Sequence, residues 1–206
     1  MAIRHDNPHS DIAATLDGLP SFPRLQGKRV CLRPPTADDA DALFALFADP
    51  AVMRYWSRPP MTTRAEAEGL IGEILAGFDQ RTLFNWMVVS RSDDALIGTC
   101  ALFRIERRHR RAEIGYSLRS DHWGRGLAVE SVSLMLDWAF RTLRLHRVEA
   151  DIDPRNDGSR KLLERLDFTS EGVLRERYFV GDEVSDTQLF GLLEADWSGR
   201  AARDRR

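Results

Sequence analysis

The sequence predicts an α/β domain built on a mixed, mostly antiparallel sheet covered by helices. Residues 112–118 alternate Ala112, Ile114, Tyr116 and Leu118 with Glu113, Gly115 and Ser117, the period of two expected of a strand whose faces meet different surroundings. A polar glycine turn and a long apolar helix follow that strand. Strand patterns stand before, between and after helical ones, and neither a repeat nor a linker interrupts the 206 residues, so one domain is expected.

Residues 1–27 mix Pro, Asp, His and Ser with few apolar positions and are expected to form an arm or a cap, leaving 28–197 as the domain. Residues 28–33 read as a first strand stopped by Pro34-Pro35. Thr36, with Asp39 three residues on, starts a helix that runs through Phe47 and ends at Asp49-Pro50. Thr63 and Glu66 form the capping box of a second helix, with Leu70, Ile71, Ile74, Leu75 and Phe78 on its packed face. Residues 84–90 and 96–105 are antiparallel strands joined by a polar R-S-D-D turn.

The run Arg107, Arg108, His109, Arg110, Arg111 leads into the central strand; such a run is solvated surface unless it meets a phosphate or an acidic substrate. The helix after the glycine turn buries Leu127, Ala128, Val132, Leu134, Met135, Leu136, Trp138, Ala139 and Leu143, leaving a polar stripe of Glu130, Ser133, Asp137 and Arg141. Val148, Ala150 and Ile152 then alternate with Glu149, Asp151 and Asp153 as another strand, closed by Pro154. Residues 156–159 open a helix with Leu162, Leu163 and Leu166 inside. Residues 172–180 and 183–193 make a hairpin across Gly181-Asp182, and 198–206 read as a disordered tail.

Composition excludes several classes. With 43% hydrophobic and 30% charged residues the chain matches a globular domain able to bury a substantial core. Lys+Arg 30 against Asp+Glu 32 gives a net charge of -2, which argues against a broad nucleic-acid surface. No apolar run is long enough to cross a bilayer, and the N-terminus lacks the apolar core of a signal peptide, so a cytoplasmic protein without a membrane partner is expected. Cys31 and Cys100 sit in apolar strand-like runs, as small buried hydrophobes rather than a disulfide. The five histidines show no ligand spacing, so no metal is expected.

Gly124-Arg125-Gly126 is where chemistry is expected. Glycines there permit backbone angles and close approaches that a Cβ forbids, and the helix they open presents unpaired N–H groups with the positive end of its dipole. Such a turn suits a diphosphate, with Arg125 adding a cation; its plainer role is a tight connection. A Walker loop, G-x-x-x-x-G-K-[S/T], occurs nowhere in the chain, and the dinucleotide fingerprint fails at Val129.

E-I-G-Y-S-L followed by H-W-G-R-G-L-A-V-E-S, then Asn156-Asp157-Gly158-Ser159 and Leu163-Glu164-Arg165-Leu166-Asp167-Phe168, resembles the GNAT superfamily of N-acetyltransferases. The W-G-x-G-x-A-x-E form is similar to the branch containing the ribosomal-protein N-terminal alanine and serine acetyltransferases. The resemblance covers residues 28–197. It departs at Asp121, where the family often has Gln or Arg, and at Asp167, where it usually has glycine.

The resemblance implies a sheet whose two central strands are parallel and splay apart, with the pantetheine of acetyl-coenzyme A entering the split as if it were a further strand. Leu118 and Ser120 would give it backbone partners, Gly124, Arg125, Gly126, Leu127 and Ala128 would hold the diphosphate, and Asn156 would hydrogen-bond the arm. The reaction it implies is transfer of an acetyl group to a primary amine: a protein N-terminus, or a small amine such as an aminoglycoside, polyamine or amino acid. A non-catalytic acyl-coenzyme A binding module is the reading from another class, and a homodimer stays open.

Acyl transfer from a thioester to an amine needs a neutral amine, stabilisation of the oxyanion and a proton for the leaving thiolate. Glu113 is the leading base, and its rival role is an ion pair with neighbouring arginines. Glu149 and Asp151 on the adjacent strand are the runners-up as base and could hold the substrate amine. A backbone N–H near Leu118 would meet the oxyanion. Leu163 stands where many family members have a tyrosine, so Ser159 becomes the proton donor, unless it only caps its helix. Tyr55 and Trp56 are candidate acceptor contacts by the resemblance, with core packing as the alternative.

Overall fold

The computed structural model describes residues 9–197. In chain order the elements are α1 (His9–Asp17), β1 (Leu25–Gln26), β2 (Val30–Arg33), α2 (Ala40–Ala48), α3 (Pro50–Met53), α4 (Arg64–Asp79), β3 (Leu83–Ser90) and β4 (Leu96–Glu106). There follow β5 (Arg111–Leu118), α5 (Leu127–Arg141), β6 (Arg147–Ile152), α6 (Asp157–Arg165), β7 (Thr169–Val180) and β8 (Glu183–Leu193). The expected tail at 198–206 lies outside the described residues.

The eight strands form one sheet in the order β1-β2-β3-β4-β5-β6-β8-β7. Every neighbouring pair is antiparallel except β5 and β6, which run parallel because α5 returns the chain to the starting end of the sheet. The mixed, mostly antiparallel sheet expected from sequence is present.

The parallel pair is short. Arg111 faces Arg147, Ala112 faces Val148 and Glu113 faces Glu149, and there the pairing stops although β5 continues to Leu118 and β6 to Ile152. Glu113 and Glu149 would repel as in-register neighbours. Arg104 on β4 meets Glu113 at 2.9 Å, and Arg111 and Arg147 meet Glu149 at 2.8 and 2.7 Å, so the closed end of the split is neutralised by arginines.

Alternate residues of β3 divide the two sheet faces. Phe84 and Trp86 point toward α5, where Trp138 lies 5.0 and 5.3 Å from their ring centres, while Asn85 opens onto the other side. Trp86 is fully buried, packs edge-on to Phe22 at 5.6 Å, and donates its indole N–H to the Pro23 carbonyl at 2.8 Å. Ile12 and Leu16 of α1 are also fully buried, and Arg81 binds the carbonyls of Leu16 and Leu19, both at 2.9 Å. The segment ahead of β2 therefore covers one end of the core.

The capping signals at Thr36 and Thr63 are realised. Asp39 accepts from the Thr36 N–H at 2.7 Å, though the first turn there is a 3-10 turn, Ala37–Asp39, ahead of α2; Glu66 accepts from the Thr63 N–H at 2.9 Å. The packed face of α4 is narrower than expected. Ala67, Ile71 and Ile74 are buried, but Leu75 is 42% exposed because one further residue turns it about 100° around the helix, beyond that stripe. Of the basic run, Arg107 pairs with Asp17 at 3.1 Å and Arg111 with Glu149. Both cysteines are free, Cys100 being buried against the Met135 sulfur at 3.5 Å.

Leu16→Ala removes a fully buried side chain and is expected to cost about 2–5 kcal/mol in chemical denaturation. A loss under about 0.5 kcal/mol would mean that α1 contributes little to the core.

Candidate active site

Two regions meet around β5, a glycine turn at its end and a cleft across one sheet face. In the turn, Gly124 and Gly126 take φ of 73° and 74°, the left-handed region that side chains with a Cβ resist. Gly126 is the N-cap of α5, and the first intrahelical bond runs from the Glu130 N–H to the Gly126 carbonyl at 3.2 Å. The amides of Leu127, Ala128 and Val129 are thus left with the positive end of the helix dipole, the condition that draws an anion. Arg125 is exposed beside them.

Sequence reasoning missed what fixes this turn. Arg29, just ahead of β2, donates to the carbonyls of Arg125 and Gly126 at 2.8 and 3.2 Å and to the Glu130 carboxylate at 2.9 Å. Glu130 also accepts from the Arg29 backbone N–H at 2.7 Å. Gly27 must be glycine here, since a Cβ would stand 2.6 Å from the Glu130 carboxylate. Only the place of Glu130 on the polar stripe of α5 hinted at this contact, which spans 101 residues of sequence.

The backbone of Leu118 is half committed. Arg119 donates to the Ile97 carbonyl at 2.8 Å, so in the antiparallel pair Leu118 turns its own groups the other way, toward the split. Its carbonyl already accepts the Trp123 indole N–H at 2.7 Å, which leaves the N–H. Ser120 is exposed and donates its hydroxyl to Asp49 at 2.8 Å, on the connection between α2 and α3.

The cleft has a volume of about 620 Å³ and lies on the sheet face opposite α5. It gathers Tyr55, Trp56, Glu113, Asp151, Asn156 and Ser159, whereas Leu118, Ser120, Gly124, Arg125, Gly126, Leu127 and Ala128 lie outside its lining. Glu149 is also outside it. Its carboxylate accepts from Arg111 and Arg147, so the structure does not bring it into the cleft beside Asp151.

Glu113 is mostly buried at the cleft wall and paired with Arg104. The expected ion pair thus exists, with an arginine from the adjacent strand rather than from the basic run. Asp151 accepts from the Tyr178 hydroxyl at 2.7 Å. Burial, and then that bond to a carboxylate, push the Tyr178 hydroxyl up. Trp56 is half-buried edge-on to Phe47 at 5.5 Å, so it packs and lines the cleft at once; Tyr55 lies beneath Arg54 and Arg155.

The helix cap falls on a different residue from the one expected. Asn156 accepts the Ser159 N–H at 3.0 Å as the N-cap of α6, so Ser159 is capped rather than capping, and the Asn156 oxygen is occupied. The Tyr116 hydroxyl lies 3.5 Å from the Ser159 carbonyl, a neighbour that sequence periodicity treated only as a core position; burial raises its pKa, so it keeps its proton at neutral pH. Among the described residues no cluster of His, Cys, Asp and Glu could hold a metal, and no helix is long and apolar enough to cross a membrane.

Burial alone would raise the Glu130 carboxyl, but hydrogen bonds from the Arg29 and Val30 amides and the Arg29 side chain outweigh it and hold the pKa below its ordinary value. A depressed carboxyl contributes stability above its unfolded pKa of about 4.3 and loses it as pH falls through the folded value. The difference in Tm between wild type and Glu130→Gln is therefore expected to shrink from pH 7 to below about pH 4. A constant difference would mean that the carboxylate charge does not hold the turn.

Residues 29–169 match the Acetyltransferase (GNAT) domain. An uncharacterized N-acetyltransferase of Bacillus licheniformis is 36% identical over 177 residues, covering 85% of this chain and 98% of that protein. The spermidine N(1)-acetyltransferase of Vibrio cholerae is 27% identical over 150 residues, 73% of this chain and 84% of that one. A solved GCN5-related N-acetyltransferase from Brucella melitensis shares the fold with a TM-score of 0.75 at 27% identity, covering 87% of this chain and 82% of that one. The ribosomal-protein-S5-alanine acetyltransferase of Vibrio fischeri does so with a TM-score of 0.75 at 24% identity, over 85% and 98%. With a split central pair, a glycine turn at the end of β5 and a domain match over most of its length, the chain belongs to the GNAT family of acetyltransferases.

Proposed function

We propose that the protein moves an acetyl group from acetyl-coenzyme A to a primary amine, by direct attack in the cleft, and that the amine is a protein N-terminus. The observation that carries the acetyl-coenzyme A part of this reading is the split itself, and the N-terminal acceptor is favoured by the likeness to ribosomal-protein acetyltransferases. Two parallel strands stop pairing after Glu113 and Glu149, next to a helix whose first amides are unpaired, and this supports a thin hydrogen-bonding arm in the gap with its diphosphate on the turn.

Acetyl-coenzyme A supplies the thioester carbon on which the amine adds. Glu113 takes the proton from the amine, sharing its carboxylate with Arg104 until then. The Leu118 N–H, turned into the split, meets the oxyanion as the carbon–nitrogen bond forms. Ser159 passes a proton to the sulfur as the carbon–sulfur bond breaks, with the Tyr116 hydroxyl beside it. Asp151 orients the amine from the facing strand, Tyr55 and Trp56 form the outer wall, and the amide nitrogen of Asn156 serves the pantetheine arm because its oxygen caps α6.

A small-amine reading is favoured by the 27% identity to spermidine acetyltransferases and by the shared fold of a solved one in complex with coenzyme A and spermine. Thiol release with peptides of different first residue, set beside polyamines, aminoglycosides and amino acids, separates the two; coenzyme binding without turnover on any amine would instead indicate a binding module. Glu113→Gln is expected to lower kcat at neutral pH by about 100-fold with coenzyme affinity kept. Unchanged activity from pH 6 to 9 would remove Glu113 from the base role.

A further inference from the structure

Arg58 is a charged group of the cleft that the proposed reaction does not use and that, among the described residues, has no acid in contact with it. It is half-buried, stacked at 4.8 Å over Phe47 and 5.7 Å over Trp56, and burial pulls its pKa down, outweighing the longer-range charges of Glu73 and Glu66 on α4. Among the described residues it has no carboxylate at ion-pair distance. The acids of the cleft are otherwise engaged, Glu113 with Arg104, Asp153 and Glu183 with Arg155, Asp151 with Tyr178 and Asp186 with the Glu176 amide; of the two on α4 that act on Arg58 from farther off, Glu66 accepts from the Thr62 and Thr63 amides and Glu73 is exposed. A partly desolvated guanidinium with no carboxylate in contact is costly, and an anion delivered by a ligand offsets that cost.

A second orphan lies in the same cleft. The Asn85 side-chain oxygen is buried with no hydrogen-bond partner, on the strand position facing Ala101, which in turn faces Gly115 of β5. It is an acceptor waiting for an N–H donor. Both groups lie on the sheet face opposite α5, away from the glycine turn, so the ligand they await is not the coenzyme's diphosphate.

We infer that Arg58 determines acceptor specificity by binding a carboxylate of the acceptor in the cleft wall formed by Phe47 and Trp56, while Asn85 receives an N–H of the same molecule. This rests on the acetyltransferase reading and narrows it. The preferred acceptor carries an acid as well as its amine, as an acidic N-terminal peptide does, and a polyamine brings a cation toward an unpaired arginine.

The test measures thiol release for peptide pairs identical except for Glu against Gln, or Asp against Asn, near the N-terminus, together with a free amino acid, its amide, and spermidine. The acidic peptides are expected to exceed their amides in kcat/KM by about 10-fold or more, as for a charge-assisted hydrogen bond. Arg58→Met should abolish that ratio while leaving the neutral peptides within about 2-fold, and Arg58→Lys should restore part of it.

Equal rates for acidic and neutral pairs, or an unchanged ratio in Arg58→Met, would overturn the assignment. Absence of turnover with every amine would sink the enzymatic reading instead. Equilibrium binding of the same peptide pairs then decides on Arg58: preference for the acid that disappears in Arg58→Met supports it, and equal binding overturns it.

Discussion

Strands that run parallel for three residue pairs and then part leave backbone donors and acceptors on their inner edges, and a folded protein rarely leaves such groups unserved. That constraint orders the rest of the molecule. Because α5 must carry the chain from the end of β5 back to the start of β6, its unpaired first turn is brought to the mouth of the gap. The Leu118 carbonyl is satisfied by Trp123 and the closed end is held by three arginines, so the open N–H groups are confined to where a ligand can reach them.

Support for the turn comes from a distant part of the chain. Arg29 and Glu130 join the start of β2 to the first turn of α5, and the two left-handed glycines rest on that clasp. On the other face the cleft is walled by α2, α3 and the loop after them, with Trp56 and Arg58 contributed by that loop. The turn is thus built from sheet and α5, and this wall of the cleft from a short, proline-bounded segment that is itself anchored to the core by Val52 and Met53.

The parts of this arrangement that are local in sequence were legible in it. Alternation placed β5 and β6, capping pairs at Thr36 and Thr63 marked helix starts, and the glycines of the turn marked the N-terminus of α5. What could not be read were choices settled by distant partners. Glu149 looked as free as Asp151 until Arg111 and Arg147 took it, the Leu118 carbonyl was claimed by an indole five residues on, and Arg29 reaches its partners across the sheet. Ser159 was read as the possible cap of its helix, and the structure gives that role to Asn156, three residues earlier. Leu75 shows the limit of periodicity, since a stripe of three buried positions is narrower than the apolar run that suggested it.

The claim on which the account depends is that the gap between β5 and β6 and the first turn of α5 receive one coenzyme together. Amide hydrogen exchange followed with and without acetyl-coenzyme A reads both places in one experiment. Simultaneous slowing at Leu118 and at Leu127, Ala128 and Val129 is the expected result. Binding that leaves these amides exchanging as before, or protects only residues elsewhere, would contradict it.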